Sequence, residues 1–350
     1  MSAIGVAMWQ ARRSGTTLLL AVIGLLAGCG AQIEAFEGPT MGSHYSLKYV
    51  AEPDGPGMAQ LRGEVEAILA EVDAQMSTYR SDSLISRFNA LPANRCQAMP
   101  ASILDLVRFG ESLSRESAGA FDLTVEPLLD LWGFGPQSRG ERVPSAEEIA
   151  AVRANVGFTH LRVDGQQLCK DAAVQVDFDS IAAGYTVDRI AQRLDESGVR
   201  SYLLSVTGEL KVRGRKPDGS PWRVAIEAPR EAGQEAQQEL TLDGYGVSTS
   251  GDYRNYFEVQ GRRYSHTFDP ASGAPVRHNL ASVTVVDPSA LRADGLSTLL
   301  MVLGPQRGLA FAKQKGVAAL FIRREVDGFQ VDASPAFQAL QAGKSTVTGR

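Results

Sequence analysis

Cysteine, histidine and tryptophan are scarce in this chain of 350 residues, at three, four and three copies. No Cys/His cluster can be assembled from so few, which argues against a zinc site. No Gly-x-Gly-x-x-Gly follows a predicted strand, and neither a P-loop nor a Gly-x-Ser-x-Gly elbow occurs. Those absences disfavour a Rossmann dinucleotide site, a P-loop site and an α/β-hydrolase. There is no internal repeat, no long low-complexity run and no basic tract. With a net charge of -5, nucleic acid is not an expected partner.

Past the N-terminus there is also no apolar run long enough to span a bilayer. The N-terminus itself is different. Arg12 and Arg13 precede an apolar stretch over 16–26, too short for a mature membrane helix, and Leu26-Ala27-Gly28-Cys29 follows. Small residues before a cysteine in that position read as a lipobox. Residues 1–28 are then a lipoprotein signal peptide, with cleavage before Cys29 and a diacylglycerol on its thiol. The plainer alternative is an ordinary signal peptide with a chance cysteine. Residues 29–38 read as a lipidated tether, 39–340 as one domain and 341–350 as a disordered tail. The expected location is the periplasmic face of the cell membrane, held to the membrane surface by the lipid, on the inner or the outer membrane. Export leaves Cys96 and Cys169, which either form a disulfide or stay as two separate buried thiols.

The apolar spacing over 58–76 is helical, and a shorter helix is expected over 103–113. Ser145 with Glu148 forms a capping box, and Gly157 is placed to end that helix. Another amphipathic helix is expected over 181–194. Strands are expected over 202–206, 222–227, 253–259, 281–286 and 317–322. Gln260-Gly261 suggests a hairpin turn. Strands and helices without regular alternation argue for an α+β fold.

Several segments combine polar groups with aromatics where a plain core needs neither. Near the start stand Pro39-Thr40-Met41-Gly42-Ser43 and Met76-Ser77-Thr78-Tyr79-Arg80. Then come Gly119-Ala120-Phe121-Asp122-Leu123-Thr124, Leu131-Trp132-Gly133-Phe134-Gly135 and the run Asp177-Phe178-Asp179-Ser180-Ile181-Ala182-Ala183-Gly184. Later come Tyr264-Ser265-His266-Thr267-Phe268-Asp269-Pro270 and Ala293-Asp294-Gly295-Leu296-Ser297-Thr298.

Asp294 and Thr298 lie four apart and share a helix face, offering hard oxygens to Mg²⁺. Alternatively, Asp294 caps a helix start and Thr298 bonds back to the main chain. His266, among hydroxyls and an acid, is a candidate base, or a structural histidine bonded to a turn carbonyl. His44, His160 and His278 have no supporting pattern. Tyr79 and Phe121 are either stacking platforms for a planar ring or core aromatics. Asp177, Asp179 and Ser180 either cap a helix or offer that turn to phosphate or metal.

In order and spacing these motifs resemble the ApbE family of FAD:protein FMN transferases. The likeness covers nearly all of residues 36–340, including Ser250-Gly251-Asp252-Tyr253-Arg254 and Val302-Leu303-Gly304-Pro305. It implies a single α+β domain of mixed sheets with flanking helices, binding FAD as substrate at a Mg²⁺ ion. On that resemblance Met41, Tyr79, Ala120, Phe121, Asp122, Asp177, Ala183 and Phe268 hold the flavin nucleotide. Ser180 (through its carbonyl), Asp294, Ser297 and Thr298 surround the metal, and His266 is the catalytic base.

The implied reaction moves FMN to a threonine or serine hydroxyl of an acceptor flavoprotein through a phosphoester bond, and AMP leaves. Acceptors in the family are subunits of membrane redox complexes such as sodium-pumping NADH:quinone reductase and RNF. The alternatives are an FAD pyrophosphatase and a non-catalytic FAD-binding lipoprotein. Two positions depart from the family's common pattern: Ala183 stands where lysine is frequent, and Thr207 replaces a glycine of Asn-x-Gly-Gly-Asp/Glu.

Overall fold

The computed structural model describes residues 31–138, 140–230 and 236–343. Residues 1–30, including Cys29 and the expected signal peptide, and residues 344–350 of the expected tail lie outside the described residues. Eight strands build one antiparallel sheet whose spatial order is its chain order. They are β1 (Gln32–Thr40), β2 (Ser43–Ala51), β3 (Tyr202–Val206), β4 (Glu209–Arg213), β5 (Tyr245–Gly251), β6 (Leu280–Asp287), β7 (Ala318–Glu325) and β8 (Gly328–Ala333). The helices that matter for the site are α1 (Met58–Met76), α2 (Ala101–Glu116), α3 (Glu126–Trp132), α4 (Ala182–Glu196) and α5 (Ala290–Lys315).

The apolar stripe of α1 (Leu61, Val65, Leu69, Val72, Met76) is buried, as its spacing requires. Leu61, Val65 and Leu69 join Val187, Ile190 and Leu194 of α4 over Phe36, Tyr45, Leu47, Tyr202 and Leu204 in one core. A larger core sets Leu296, Leu299, Leu300 and Met301 of α5 against Val283 and Val285 of β6. The sheet's other face is covered by the hairpin Arg223–Glu227/Ala236–Thr241 and by Phe337 of the helix Pro335–Gln341. Covered on both faces, β6 is buried from Leu280 to Val286. The α+β expectation is met.

Two backbone features fix where α4 and α5 run. A Cβ on Gly184 would lie 2.4 Å from the Ala290 carbonyl oxygen and 2.6 Å from Asp294 Cβ, so the helices touch there only because residue 184 is glycine. Farther along, α5 kinks at Gly304 (φ 75, ψ -178) just before Pro305. Proline has no N–H to offer the Met301 carbonyl four residues back. His278 Nε2 sits 2.8 Å from that carbonyl oxygen and takes the vacated place. His278 is thus structural, as its lack of pattern suggested.

Several expectations need correction. Residues 32–38 are not a tether but most of β1, with only Phe36 of the strand buried. As an edge strand carrying Pro39, β1 shows little of the alternation that betrays a half-buried strand. The Ser145 capping box is present, but its helix ends at Arg153, four residues before Gly157. The strand expected from Tyr253 starts at Tyr256, because residues 252–255 bend. The second helix is longer than its apolar spacing suggested, spanning Ala101–Glu116. Gln260 and Gly261 do form a hairpin turn, with φ of 52 and 73. Cys96 and Cys169 face each other in register across neighbouring strands and form a disulfide, Cα to Cα 4.0 Å.

Candidate functional site

The face of β5 that looks at α5 is lined with hydroxyls. Side chains two apart on a strand share a face, so Ser248 and Ser250 both point there. Ser250 Oγ lies 2.8 Å from Ser297 Oγ and 3.2 Å from Thr298 Oγ1, and Ser248 Oγ is 3.2 Å from Ser297 Oγ. Ser297 in turn donates to the Asp294 carbonyl at 2.9 Å. Glu209 of β4 accepts from Thr207 at 2.9 Å and from Ser248 at 3.4 Å.

Asp294 does not cap its own helix. That cap is Ser289, which accepts from Arg292 N–H. Instead, Asp294 Oδ2 accepts the Gly184 N–H at 2.8 Å, and so caps α4 from across the crossing. The residue at the start of α4 is Ile181, without a side-chain cap, so Ser180 is not the cap that its position suggested. Because Gly184 turns to Asp294, no described backbone N–H takes the Ser180 carbonyl. Asp294 is buried and held well above the usual carboxylate range by burial, then by the charge of Glu209. Burial likewise raises Glu209. Buried oxygens that repel one another beside several hydroxyls and a free carbonyl form a hard donor set, which suits a small divalent cation. No group of three or more His, Cys, Asp or Glu gathers as a metal cage among the described residues.

Beside the start of α4 lies an acidic cluster of Asp177, Asp179, Glu126 and Asp130. Surrounding protein desolvates the Tyr79 hydroxyl although the residue is mostly exposed, and this, with the charges of Asp179, Asp177, Glu126 and Asp130, raises it. The charge of Asp179 also acts on Asp294 and on His266. Both Asp179 and His266 are reached by solvent, yet both are desolvated by surrounding protein.

His266 follows the hairpin Tyr256–Val259/Arg262–Ser265. Its Nδ1 lies 3.1 Å from the Asn255 carbonyl oxygen, which also accepts the His266 backbone N–H. A carbonyl can only accept, so Nδ1 carries the ring proton and Nε2 keeps its lone pair. The structural and the basic readings of this histidine therefore hold together. Desolvation lowers its pKa against the weaker pull of the Asn255 bond, Asp179 and Asp252, so the ring is neutral at neutral pH.

Tyr79 and Phe121, equal as stacking candidates in the sequence, part company: Tyr79 is 68% exposed and Phe121 2%. The Phe121 ring is core, and Ala120 packs half-buried against the same core. Asp122 has spent both oxygens internally. Oδ1 accepts Thr124 N–H at 2.8 Å and Thr124 Oγ1–H at 2.7 Å, and Oδ2 accepts Phe158 N–H at 2.8 Å. Phe268 is buried among Trp132, Phe134, Phe257 and Tyr264. Trp132 Nε1 donates to the Gly273 carbonyl at 3.0 Å, fastening the turn that follows His266 and Phe268.

Ala183 is buried in the first turn of α4. Met41 forms the β1–β2 turn at φ 45, a strained value for a residue with a Cβ, and packs on two cores. Thr207 keeps a left-handed φ of 54, the conformation that explains the family's glycine there. Glu126, Ser248 and Asn255 were not singled out in the sequence, and Ser250 and Glu209 stood there only within family motifs, without a role. A cavity of about 680 Å³ beside the disulfide, lined by Arg95, Arg108, Arg162 and Lys170 among others, includes none of these site residues.

The model of the ApbE family matches residues 41–321. The FAD:protein FMN transferase of Vibrio cholerae is 42% identical over 322 residues, covering 91% of this chain and 96% of that protein. The FAD:protein FMN transferase of Escherichia coli K12 is 38% identical over 313 residues, covering 88% and 89%. Among solved structures, the apo form of the Pseudomonas stutzeri flavinyl transferase ApbE superposes with a TM-score of 0.85 at 61% identity, covering 91% of this chain and 99% of that one. The flavin transferase ApbE from Vibrio cholerae gives 0.82 at 41% identity, with coverage of 88% and 99%.

Proposed function

Because the chain belongs to the ApbE family, we infer that it is an FAD:protein FMN transferase. It moves the FMN moiety of FAD onto a threonine or serine hydroxyl of an acceptor flavoprotein, and AMP leaves. The observation that carries this reading is the buried Asp294 set among the hydroxyls of Ser297, Thr298 and Ser250; a histidine whose Nδ1 is engaged by the Asn255 carbonyl supports it.

The residues divide the work as follows. His266 Nε2 takes the proton of the attacking hydroxyl, with its tautomer held by Asn255. Asp294, Ser297, Thr298 and the Ser180 carbonyl form the donor set for Mg²⁺. Bound there, the ion would supply charge neutralisation for the pyrophosphate. Met41, Asp177 and the exposed ring of Tyr79 hold the flavin nucleotide, and Ala120, Ala183 and Phe268 shape its pocket through packing or backbone. Positioning and electrostatics supply much of the acceleration in such a transfer.

The location and the acceptor are part of the same proposal. Lipidation at Cys29 anchors the enzyme at the periplasmic face of the membrane, beside acceptor subunits of redox complexes of the sodium-pumping NADH:quinone reductase or RNF type. The test is mass spectrometry of such an acceptor after incubation with the full-length chain in detergent, FAD and Mg²⁺. A gain equal to FMN on a threonine or serine is expected, abolished by EDTA. AMP and free FMN with an unmodified acceptor would mean a pyrophosphatase. FAD left intact would mean a flavin-binding lipoprotein.

A further inference from the structure

Glu126 opens α3, where an acid is usually solvated and favoured by the helix dipole. Here its side chain is 3% exposed, and Oε2 is buried without a hydrogen-bond partner. The neighbour within hydrogen-bonding reach is another carboxyl group, that of Asp177. Asp177 is also buried, and its Oδ1 already accepts the Asp179 N–H at 2.6 Å. Two buried carboxyl groups side by side are stable when a proton lies between them and costly when both are ionised. Burial, then Asp130, then Asp179, pushes Glu126 up to about 8, and burial, then Asp179 and Glu126, raises Asp177 well above its usual range. At neutral pH, therefore, the pair holds its proton.

We propose that Glu126 is a positioning residue of the FAD site, sharing a proton with Asp177 and so fixing that carboxyl group where the nucleotide binds. This rests on the flavin-transfer reading, in which Asp177 touches the nucleotide. The charged and titratable groups facing Glu126 are Asp130 from α3 itself, Asp177 and Asp179 from the segment before α4, and Tyr79 from the loop after α1. When the pair loses its proton, two adjacent carboxylates repel and Asp177 is displaced. FAD binding should therefore weaken on the alkaline side. A glutamine at 126 offers the same hydrogen bond without titrating.

The test measures FAD affinity by flavin fluorescence, together with KM and kcat for FAD, on the full-length chain from about pH 6.5 to 9.5. For the wild type, affinity should fall roughly tenfold across the alkaline limb. Glu126→Gln should bind within about threefold of wild type at neutral pH and lose that limb, while Glu126→Ala should bind roughly tenfold more weakly at every pH. In both variants the change should fall on KM, with kcat at saturating FAD retained. Glutamine as weak as alanine, one pH profile shared by all three proteins, or an effect confined to kcat would each overturn the proposal. If FAD binds with the expected pH profile but no acceptor is modified, the transfer reading fails and the role of Glu126 in binding stands.

Discussion

The hydroxyl face around Asp294 and the aromatic block around Trp132 are both dense in motif residues, yet they use them in opposite ways. At the first, Ser297, Thr298 and Ser250 bond one another, with Asp294 raised by burial and by Glu209. That face is polar, with a buried acid at its centre. At the second, Trp132, Phe134, Phe257, Tyr264 and Phe268 fill one another's space, and Trp132 ties down the Gly273 turn. That block is complete as it stands. Adjacent motifs can therefore serve different ends: one presents chemistry, and the other holds the loop that carries His266.

The largest expected effects break the comparison at its polar end. Asp294→Asn keeps an oxygen for the Gly184 N–H but removes the charge, so transfer should fall roughly a thousandfold. Stability should move the other way. Asp294 is raised in the folded state, so the metal-free wild type loses stability as pH climbs above the ordinary aspartate range. Without Mg²⁺ at neutral pH the variant should therefore melt at the same or a higher temperature, and added Mg²⁺ should raise Tm in the wild type only. A metal-free variant that melts well below wild type would assign Asp294 to the scaffold.

His266→Ala should lower transfer roughly a hundredfold while leaving FAD affinity intact. The lowered pKa of His266 means the free base is already present at neutral pH, so wild-type AMP release should decline only on the acid side of the ordinary histidine range. The variant's residual rate should lack that acid limb; a pH profile identical to wild type would remove His266 from the base role.

How much of this was legible in the sequence follows the same division. Asp294 and Thr298 were readable because a helix repeats locally, so four residues' spacing states a shared face. Ser248, Ser250 and Glu209 complete that face from strands far away in the chain, and only the sheet register brings them there. Asn255 was hidden inside an expected strand that is in fact a bend, and the bend is what turns its carbonyl toward His266. Glu126 resembles an ordinary first-turn acid until its burial is known. The aromatic motif was visible, but whether a ring faces solvent or core is decided by packing, which is why Tyr79 and Phe121 could not be told apart.

The smaller effects sharpen the other end. Trp132→Phe keeps a ring but loses the bond to the Gly273 carbonyl and some volume, at a cost of about 2 kcal/mol by thermal melting. Because the Gly273 turn follows the His266 segment, transfer should also fall, by less than about tenfold. Unchanged stability would show that the turn is held by other contacts.

Asp122→Asn gives the smallest effect and the finest discrimination. The family resemblance assigns Asp122 to the flavin nucleotide, whereas its two oxygens accept from Thr124 and Phe158. An amide at that position must turn its NH₂ toward one of those donors, leaving a donor facing a donor. The expected loss is about 1 kcal/mol of stability. KM for FAD should stay within about twofold, because the described bonds of this carboxylate go to Thr124 and Phe158. The opposite pattern, a raised KM with an unchanged melting temperature, would move Asp122 out of the scaffold and beside Asp177. The boundary between the two regions would then run behind the Thr124 turn rather than in front of it.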